Sequence, residues 1–262
     1  MTAEAMIDWT TTAAAVWRRH RQGLRAIRRL DPIQWQQLTG IARQQQALAR
    51  NTERFLAGEP SNNVLLWGAR GTGKSSVIKA LLNRYRDHGL RMIEVDKDDL
   101  VNLPEIVDEL SEQPYHFVIF CDDLSFETGE SAYKALKSVL EGSLELPPEN
   151  VRVYATSNRR HLMPEYMADN LNSEVRHGEL HPAEAIEEQV SLADRFGLQL
   201  SFHPFPQDVY LAAVDALFPE VDDRAALHRL AIRFATGRGV RSGRTAQQFY
   251  RQYAGDPTAL TE

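Results

Sequence analysis

The sequence predicts an α/β fold in which a parallel five-stranded sheet is flanked by helices and followed by a small helical domain. Short apolar runs alternate with helical segments between Val64 and Phe202. A glycine-rich loop joins the first of these runs to the helix that follows it. After Pro204 and Pro206 the helical pattern continues without further strands. Strands that alternate with helices indicate a parallel sheet that is covered on both faces.

The composition indicates a globular protein and argues against several other classes. The chain has 262 residues, of which 43% are hydrophobic, so it can bury a full core. Its single cysteine, Cys121, excludes an internal disulfide and fits a reducing cytosol. The net charge of −6 argues against a protein that covers nucleic acid with its whole surface, but it leaves room for a local basic patch. With no signal pattern and no apolar run of bilayer length, we expect a cytoplasmic protein without a membrane partner.

Residues 1–38 are predicted to form an N-terminal helical extension that is rich in arginine and interrupted at Pro32. Six arginines fall within 12 residues of this segment, namely Arg18, Arg19, Arg21, Arg25, Arg28 and Arg29. Such a cluster can bind the backbone of DNA or RNA, or an acidic partner. A solvated helix face is the alternative explanation of the same residues.

Residues 39–203 are predicted to form the α/β core. It begins with a helix over Ile41–Leu56, where apolar residues recur at helical spacing. The predicted strands are Val64–Trp67, Arg91–Val95, Phe117–Cys121, Val151–Ala155 and Leu198–Phe202. The helices predicted between them are Gly73–His88, Leu103–Leu110, Ser131–Leu140 and Glu184–Ala193. The continuous apolar run of the third strand is typical of a strand that is buried on both faces.

Residues 204–262 are predicted to form a helical lid. Three segments have helical spacing, namely Asp208–Phe218, Arg224–Ala235 and Thr245–Tyr253. Because no strand lies between them, they are expected to pack together as a small bundle beside the core.

The glycine-rich loop matches the pattern G-x-x-x-x-G-K-[ST] in full. Glycines let the backbone N–H groups surround phosphates, and the start of the following helix adds positive potential. Lys74 is expected to reach the β- and γ-phosphates of ATP, and the Ser75 hydroxyl to bind Mg²⁺. The predicted phosphate-binding residues are Gly68, Ala69, Arg70, Gly71, Thr72, Gly73, Lys74, Ser75 and Ser76.

Two acids follow the buried third strand. Asp122 lies 48 residues after Lys74, and Asp123 comes next. Ligands of open α/β folds bind at the carboxyl ends of the strands, which is where these acids fall. We therefore expect Asp122 to be the second Mg²⁺ partner and Asp123 to polarise the water that attacks ATP.

From this point the residues resemble the AAA+ superfamily of ATPases. The segment Val153–Asn158 looks like its sensor-1 strand, and Asn158 matches the polar residue that holds the γ-phosphate and the attacking water. The letters DDL from Asp122 and TSN from Thr156 are similar to the helicase-loader branch. Most members have Asp-Glu where this chain has two aspartates. The shorter side chain of Asp123 lies further from the water, so the resemblance implies slow hydrolysis.

Further resemblances concern three arginines and one apolar residue. Arg195, in the segment ADRFGL, is similar to the arginine that reaches the nucleotide of a neighbouring subunit in initiator-type AAA+ ATPases. Arg244 matches the sensor-2 arginine of the lid, with Arg241 as the alternative. The segment LTGI, which ends at Ile41, is similar to the segment that packs on adenine.

More closely, the stretch from Gly40 to about Phe249 resembles a bacterial AAA+ family classified as a domain of unknown function. The segments that carry this resemblance include NNVLLWGARGTGKSS, EVDKDDL, CDDLSFE, YKALKSVLEGS, ATSNRRHL, EYMADN and SLADRFGL. It implies the AAA+ fold and the binding of ATP and Mg²⁺, but no established substrate.

The function expected from these residues is that of an Mg²⁺-dependent ATPase that assembles into a ring or filament and rearranges a macromolecular partner. The partner class expected from the resemblance is DNA or a DNA-bound protein, in a role like that of a helicase loader. Two alternatives remain. One is a nucleotide-dependent switch with little hydrolysis, which Asp123 favours, and the other is a P-loop kinase of small molecules.

Overall fold

The structure is a computed structural model that describes residues 7–126, 131–142, 146–159, 162 and 192–255. Within this part of the chain, no helix has both the length and the apolar character needed to cross a bilayer. Of the predicted helix Glu184–Ala193, only the last two residues lie inside the described part.

Seven strands of the described chain form one sheet. They are β1 Ala14–Arg18, β2 Gly23–Ala26, β3 Val64–Gly68, β4 Leu90–Glu94, β5 His116–Cys121, β6 Val151–Ser157 and β7 Leu198–Phe202. Their order across the sheet is β2-β1-β4-β5-β6-β3-β7. All neighbours are parallel except β1 and β2. The five predicted strands, β3 to β7, are confirmed with ends that differ by at most two residues, but the predicted count of five is wrong.

Seven α-helices are described, namely α1 Ala42–Leu56, α2 Lys74–Tyr85, α3 Leu103–Ser111, α4 Ser131–Glu141, α5 Gln207–Leu217, α6 Arg224–Arg238 and α7 Gly243–Tyr253. Helices α1, α2 and α5 to α7 bury their apolar side chains with one face of the sheet. Helices α3 and α4 pack on the opposite face. The sheet is therefore covered on both sides, as the alternation of strands and helices predicted.

The helix predicted for the N-terminal extension is wrong, because this segment contributes β1 and β2. Strand β1 pairs with β4, which would otherwise be an edge with unpaired backbone groups. Its residues Ala14–Trp17 are all buried, since they pack into both faces of the sheet. Gln22, in the left-handed region at φ 46°, turns the chain back into β2. Tertiary pairing thus overrides the helical propensity of the alanines.

Arg91 in β4 helps to hold the N-terminal segment against the core. Its guanidinium is buried and donates hydrogen bonds to the carbonyl oxygens of Trp9 (2.8 Å), Arg86 (2.8 Å) and Leu90 (2.9 Å). It also lies 4.2 Å from the centre of the Tyr115 ring. Carbonyl dipoles and an aromatic face therefore stabilise this buried charge and fix the approach of the chain to β1.

Candidate functional site

The glycine-rich loop lies at the carboxyl edge of the sheet, between β3 and α2. Gly71 and Gly73 have φ values of 77° and 102°, which side chains rarely adopt. Helix α2 begins at Lys74, so the backbone N–H groups of its first turn have no partner within the helix. This turn includes Ser75 and Ser76. The loop therefore has the open, positively polarised geometry that suits a phosphate group.

Lys74 lies at the centre of this loop. Its ammonium donates hydrogen bonds to the carbonyl oxygens of Gly68 and Ala69, both at 2.8 Å, and to Oδ1 of Asn158 at 3.2 Å. Burial lowers the pKa of Lys74, while the nearby carboxylates of Asp123 and Asp122 act in the opposite direction. The structure thus brings together, in one cluster, the lysine, the two acids and the asparagine that the sequence predicted.

Ser75 and Asp122 provide oxygen atoms of the kind that Mg²⁺ prefers. The Ser75 hydroxyl donates a hydrogen bond of 2.6 Å to Oδ1 of Asp122. A hydroxyl and a carboxylate at this separation fit a Mg²⁺ ion that takes its remaining ligands from phosphates and water. Within the described residues, no group of three or more histidine, cysteine, aspartate or glutamate side chains has the arrangement of a metal site. A single hydroxyl and a single carboxylate suit a metal that arrives with a nucleotide.

Asp123 has an unusual backbone and a close partner. Its φ is 53°, in the left-handed region, where few residues other than glycine are found. Its Oδ1 accepts a hydrogen bond from the side-chain amide of Asn158. The same asparagine accepts from Lys74, so it bridges the cation of the loop and the carboxylate after β5. Non-glycine residues in this conformation are often found at functional sites.

Thr156 is a residue of the site that the sequence reading missed. It is almost fully buried in β6, and its hydroxyl donates a hydrogen bond of 2.5 Å to Oδ1 of Asp122. The hydroxyl oxygen of Thr156 also accepts a hydrogen bond of 2.9 Å from the backbone N–H of Asp123. One side chain therefore orients both acids. The signal in the sequence was its position two residues before Asn158, on the strand that pairs with β5.

The start of α7 lies against the glycine-rich loop. The backbone N–H of Arg244 donates to the carbonyl oxygen of Gly71 at 3.2 Å. A side chain on Gly71 would come within 2.9 Å of the Ser242 hydroxyl and 3.0 Å of the Arg244 Cβ. The charge of Arg244 also contributes to the lowered pKa of Lys74. Of the two arginines considered for the lid, Arg244 is thus the one with these contacts to the loop, whereas the Arg241 carbonyl accepts from the Phe205 N–H.

Ile41 lies beside the glycine-rich loop as well. It is buried at the residue before α1, and its Cδ1 is 3.5 Å from the position of a Cβ on Gly73. Gly40 next to it faces Phe205 and Val209 at the beginning of the helical region. The segment that resembles an adenine-packing element is therefore near the loop and next to the start of the helical region that follows β7.

Arg195 lies apart from this cluster. It precedes β7, whose first residue Leu198 is level with the first residue of β3, at the amino edge of the sheet. The glycine-rich loop follows the other end of β3, about 16 Å away at about 3.3 Å per residue. Arg195 forms an ion pair with Glu141 at the end of α4. The structure therefore does not bring Arg195 to the loop of its own chain.

Comparisons with known proteins agree with this architecture. A family model described as "Protein of unknown function (DUF815)" matches residues 10–257. The comparison with curated proteins found no match.

Solved structures share the fold at low sequence identity. The Orc1 protein of Aeropyrum pernix, solved in complex with DNA, is similar with a TM-score of 0.58 and 16% identity over 86% of this chain. The match spans 64% of the Orc1 chain, which is less than two thirds of its length. A mutant of Thermotoga maritima RuvB is similar with a TM-score of 0.50 and 13% identity over 87% of this chain and 75% of its own. Identities this low show the fold alone, which is that of AAA+ ATPases.

Proposed function

The chain belongs to the DUF815 family and has the AAA+ P-loop fold, and on this basis we propose that it is an Mg²⁺-dependent ATPase that acts as an oligomer on a macromolecular partner. The observation that carries the proposal is the single cluster of Lys74, Ser75, Asp122, Asp123 and Asn158 at the carboxyl edge of the sheet. That the protein remodels a partner rests on the resemblance to AAA+ ATPases.

The residues of the loop have separate tasks in this proposal. Backbone N–H groups of Gly71–Ser76 and the ammonium of Lys74 bind the phosphates. Ser75 and Asp122 hold Mg²⁺, which neutralises charge on the β- and γ-phosphates when bound. Asp123 accepts a proton from the attacking water, and Asn158 positions that water. Arg244 adds positive charge beside the phosphates from the lid, which we assign to residues 204–262.

The position of Arg195 supports an oligomer. Because it lies at the amino edge of the sheet, it is too far from its own loop to contact the nucleotide bound there. A role for this arginine in hydrolysis therefore requires a second copy of the chain, whose nucleotide it would contact as the γ-phosphate leaves. Its partner Glu141 would then have to release it or turn with it.

Subunit mixing tests this arrangement. Asp123→Asn is expected to bind ATP and keep Arg195 but not to activate water, while Arg195→Ala keeps Asp123 but supplies no arginine. Each variant alone should hydrolyse ATP at least about tenfold more slowly than wild type, since one charged group in a transition state contributes about 10²–10³-fold. A mixture should be faster than the mean of the two, because an Asp123→Asn subunit offers its arginine to an Arg195→Ala neighbour.

Light scattering with and without ATP and Mg²⁺ gives the mass of the assembly in the same samples. Arg229→Ala, which removes an exposed arginine of α6, serves as the control and should keep the wild-type rate. A monomer under every condition, or a mixture no faster than the mean of its components, contradicts the proposal.

A nucleotide-dependent switch is the second candidate, and one observation favours it. The side chain of Asp123 is one methylene shorter than a glutamate, and its Oδ1 is already bonded to the Asn158 amide. In a switch, ATP would bind tightly and turn over too slowly to measure even in the assembled state. Tight binding and ATP-dependent assembly without hydrolysis would select this candidate.

Thr156→Val is expected to lower the affinity for ATP in the presence of Mg²⁺ by about tenfold, with little change in the affinity without Mg²⁺ and with the fold intact. Valine keeps the volume of threonine but removes the hydroxyl that orients Asp122 and Asp123. A hydrogen bond to a charged group contributes about 1.5–3 kcal/mol, and about 1.4 kcal/mol is tenfold in affinity.

Calorimetric titration of ATP at several Mg²⁺ concentrations measures this effect, and Thr156→Ser should restore the wild-type dependence. If ATP binding without Mg²⁺ falls by the same factor as binding with it, Thr156 acts on the fold rather than on Asp122.

A further inference from the structure

Four exposed arginines follow the outer edge of the sheet. They are Arg21 in the β1–β2 turn, Arg25 in β2, and Arg28 and Arg29 directly after β2, and we call them the arginine edge. The sequence has no acidic residue between Asp8 and Asp31. A concentrated positive charge thus lies on a chain whose net charge is −6.

The arginine edge has a rigid base. Strand β2 pairs with β1 from Gly23 to Ala26, and β1 is buried against β4. Ala15 is fully buried, Trp17 is 6% exposed, and the N–H of Ile27 donates to the Ala14 carbonyl oxygen at 2.8 Å. The backbone that carries the arginines is therefore ordered before any partner binds, which lowers the entropic cost of binding.

Nearby acids are engaged elsewhere. Asp31 pairs with Lys79 at 3.3 Å, and Asp87 is 3.8 Å from Arg86. Asp99, in the segment after β4, interacts electrostatically with Arg19 and Arg18, which we therefore leave out of the arginine edge. Among the described residues, no acid lies within ion-pair distance of the four arginines, whose positive charge is available to a partner.

We propose that the arginine edge binds the phosphate backbone of nucleic acid. From Arg21 to Arg29 the chain spans at most about 26 Å at about 3.3 Å per residue, and duplex DNA carries one negative charge per about 1.7 Å of its axis. The large exposed hydrophobic residues of the described chain are Val101, Leu146 and Tyr250, none of which lies on the hairpin. The surface thus lacks both an aromatic side chain for base stacking and the apolar centre of a protein interface.

These features predict binding that is independent of base sequence and weakened by salt. The hairpin turn follows β1 at the same edge of the sheet as the glycine-rich loop, because β1 is parallel to β4 and β5. Only Arg21, in this turn, lies at that edge. Arg28 and Arg29 follow the antiparallel strand β2 at the opposite edge, so nucleic acid on this surface would run along the outer strand from one edge of the sheet to the other. The proposal goes beyond the proposed ATPase and does not depend on it, since binding is measured with and without ATP.

The test compares two variants of the whole chain that each lose four positive charges, at different places on the surface. The first carries Arg21→Gln, Arg25→Gln, Arg28→Gln and Arg29→Gln. The matched control carries glutamine at four exposed arginines of α1 and α6, namely Arg43→Gln, Arg50→Gln, Arg229→Gln and Arg233→Gln. Fluorescence anisotropy of a labelled duplex of about 30 base pairs and mixed sequence gives the affinity between about 50 and 200 mM salt. Thermal unfolding checks that both variants remain folded, and poly-glutamate serves as an acidic-protein probe.

We expect the first variant to bind the duplex at least tenfold more weakly than wild type. The slope of log affinity against log salt should become shallower by about 0.9 for each phosphate that an arginine no longer neutralises, or about 3 to 4 in all. The control variant should stay within about threefold of wild type.

Equal losses in both variants would leave only net charge as the cause, and no binding by wild type would exclude the surface. Competition by poly-glutamate as strong as that by unlabelled duplex would assign it to an acidic protein instead. Each of these three results overturns the proposal.

Discussion

Lys74→Ala is expected to weaken the binding of ATP by about 100-fold while leaving the fold intact. The ammonium lies at the centre of the glycine-rich loop, where its present acceptors are the carbonyls of Gly68 and Ala69 and the amide oxygen of Asn158. A charge-assisted hydrogen bond from this cation to a phosphate contributes about 1.5–3 kcal/mol, and about 2.7 kcal/mol corresponds to about 100-fold in affinity.

In the absence of nucleotide, Lys74→Ala should leave the stability of the protein nearly unchanged. Burial lowers the pKa of Lys74, which means that the folded chain holds this charge at a cost. Removing the cation relieves that cost and offsets the loss of its three hydrogen bonds. We therefore expect the thermal midpoint without nucleotide to stay within about 3 °C, which is about 1 kcal/mol for a chain of this size.

Calorimetric titration with a slowly hydrolysed ATP analogue and Mg²⁺ measures the loss. Lys79→Ala is the matched control, because Lys79 lies five residues later on the same helix and pairs with Asp31 on the surface. It should bind the analogue as wild type does. Wild-type affinity in Lys74→Ala would show that the loop does not hold the phosphates.

Gly68→Ala is expected to destabilise the protein by about 3–5 kcal/mol, even in the absence of nucleotide. A Cβ at this position would lie 2.0 Å from the carbonyl oxygen of Phe202 and 2.9 Å from its carbonyl carbon. Its φ of 130° is also strained for any residue other than glycine. Relief requires β3 and β7 to separate, which would break the hydrogen bond of 3.0 Å from the Ala69 N–H to the same oxygen.

Alanine substitutions at two other glycines allow the cost of the steric clash to be measured apart from the cost of the strained backbone conformation. Gly58 has a φ of 70° with open space around it, so Gly58→Ala should cost only about 1–2 kcal/mol. Gly237 lies in α6 with open space and a helical backbone, so Gly237→Ala should stabilise by about 0.4–1 kcal/mol. Unfolding midpoints of the three variants measure the series. A Gly68→Ala midpoint equal to that of Gly58→Ala would mean that the contact with Phe202 can be relieved without cost.

Gly68, the first glycine of the motif, is thus required by the packing of the sheet and not only by phosphate binding. Gly71 and Gly73 adopt positive φ in the loop itself, whereas Gly68 ends β3 and faces the backbone of β7. The pattern of the motif combines a requirement of the phosphate site with a requirement of the sheet. Sequence reasoning assigned all three glycines to phosphates, because a pattern of residues carries no information on the neighbouring strand.

The elements of the α/β core and of the helical region could be predicted from the amino-acid sequence. Apolar periodicity located β3 to β7, and the spacing from Lys74 to Asp122 predicted that both meet at one edge of the sheet. These predictions depend on local pattern and on the rule that parallel strands end together. The grouping of Ser75, Asp122, Asp123 and Asn158 followed for the same reason.

Features that depend on partners distant in the chain could not be predicted in this way. The N-terminal segment became β1 and β2 because β4 offered an unpaired edge, which outweighs the helical propensity of Ala14 and Ala15. Thr156 came to orient two acids because β6 pairs with β5. Arg244 rather than Arg241 contacts the loop because α7 begins against Gly71. In each case the energy comes from packing and hydrogen bonds between distant segments, which local sequence does not encode.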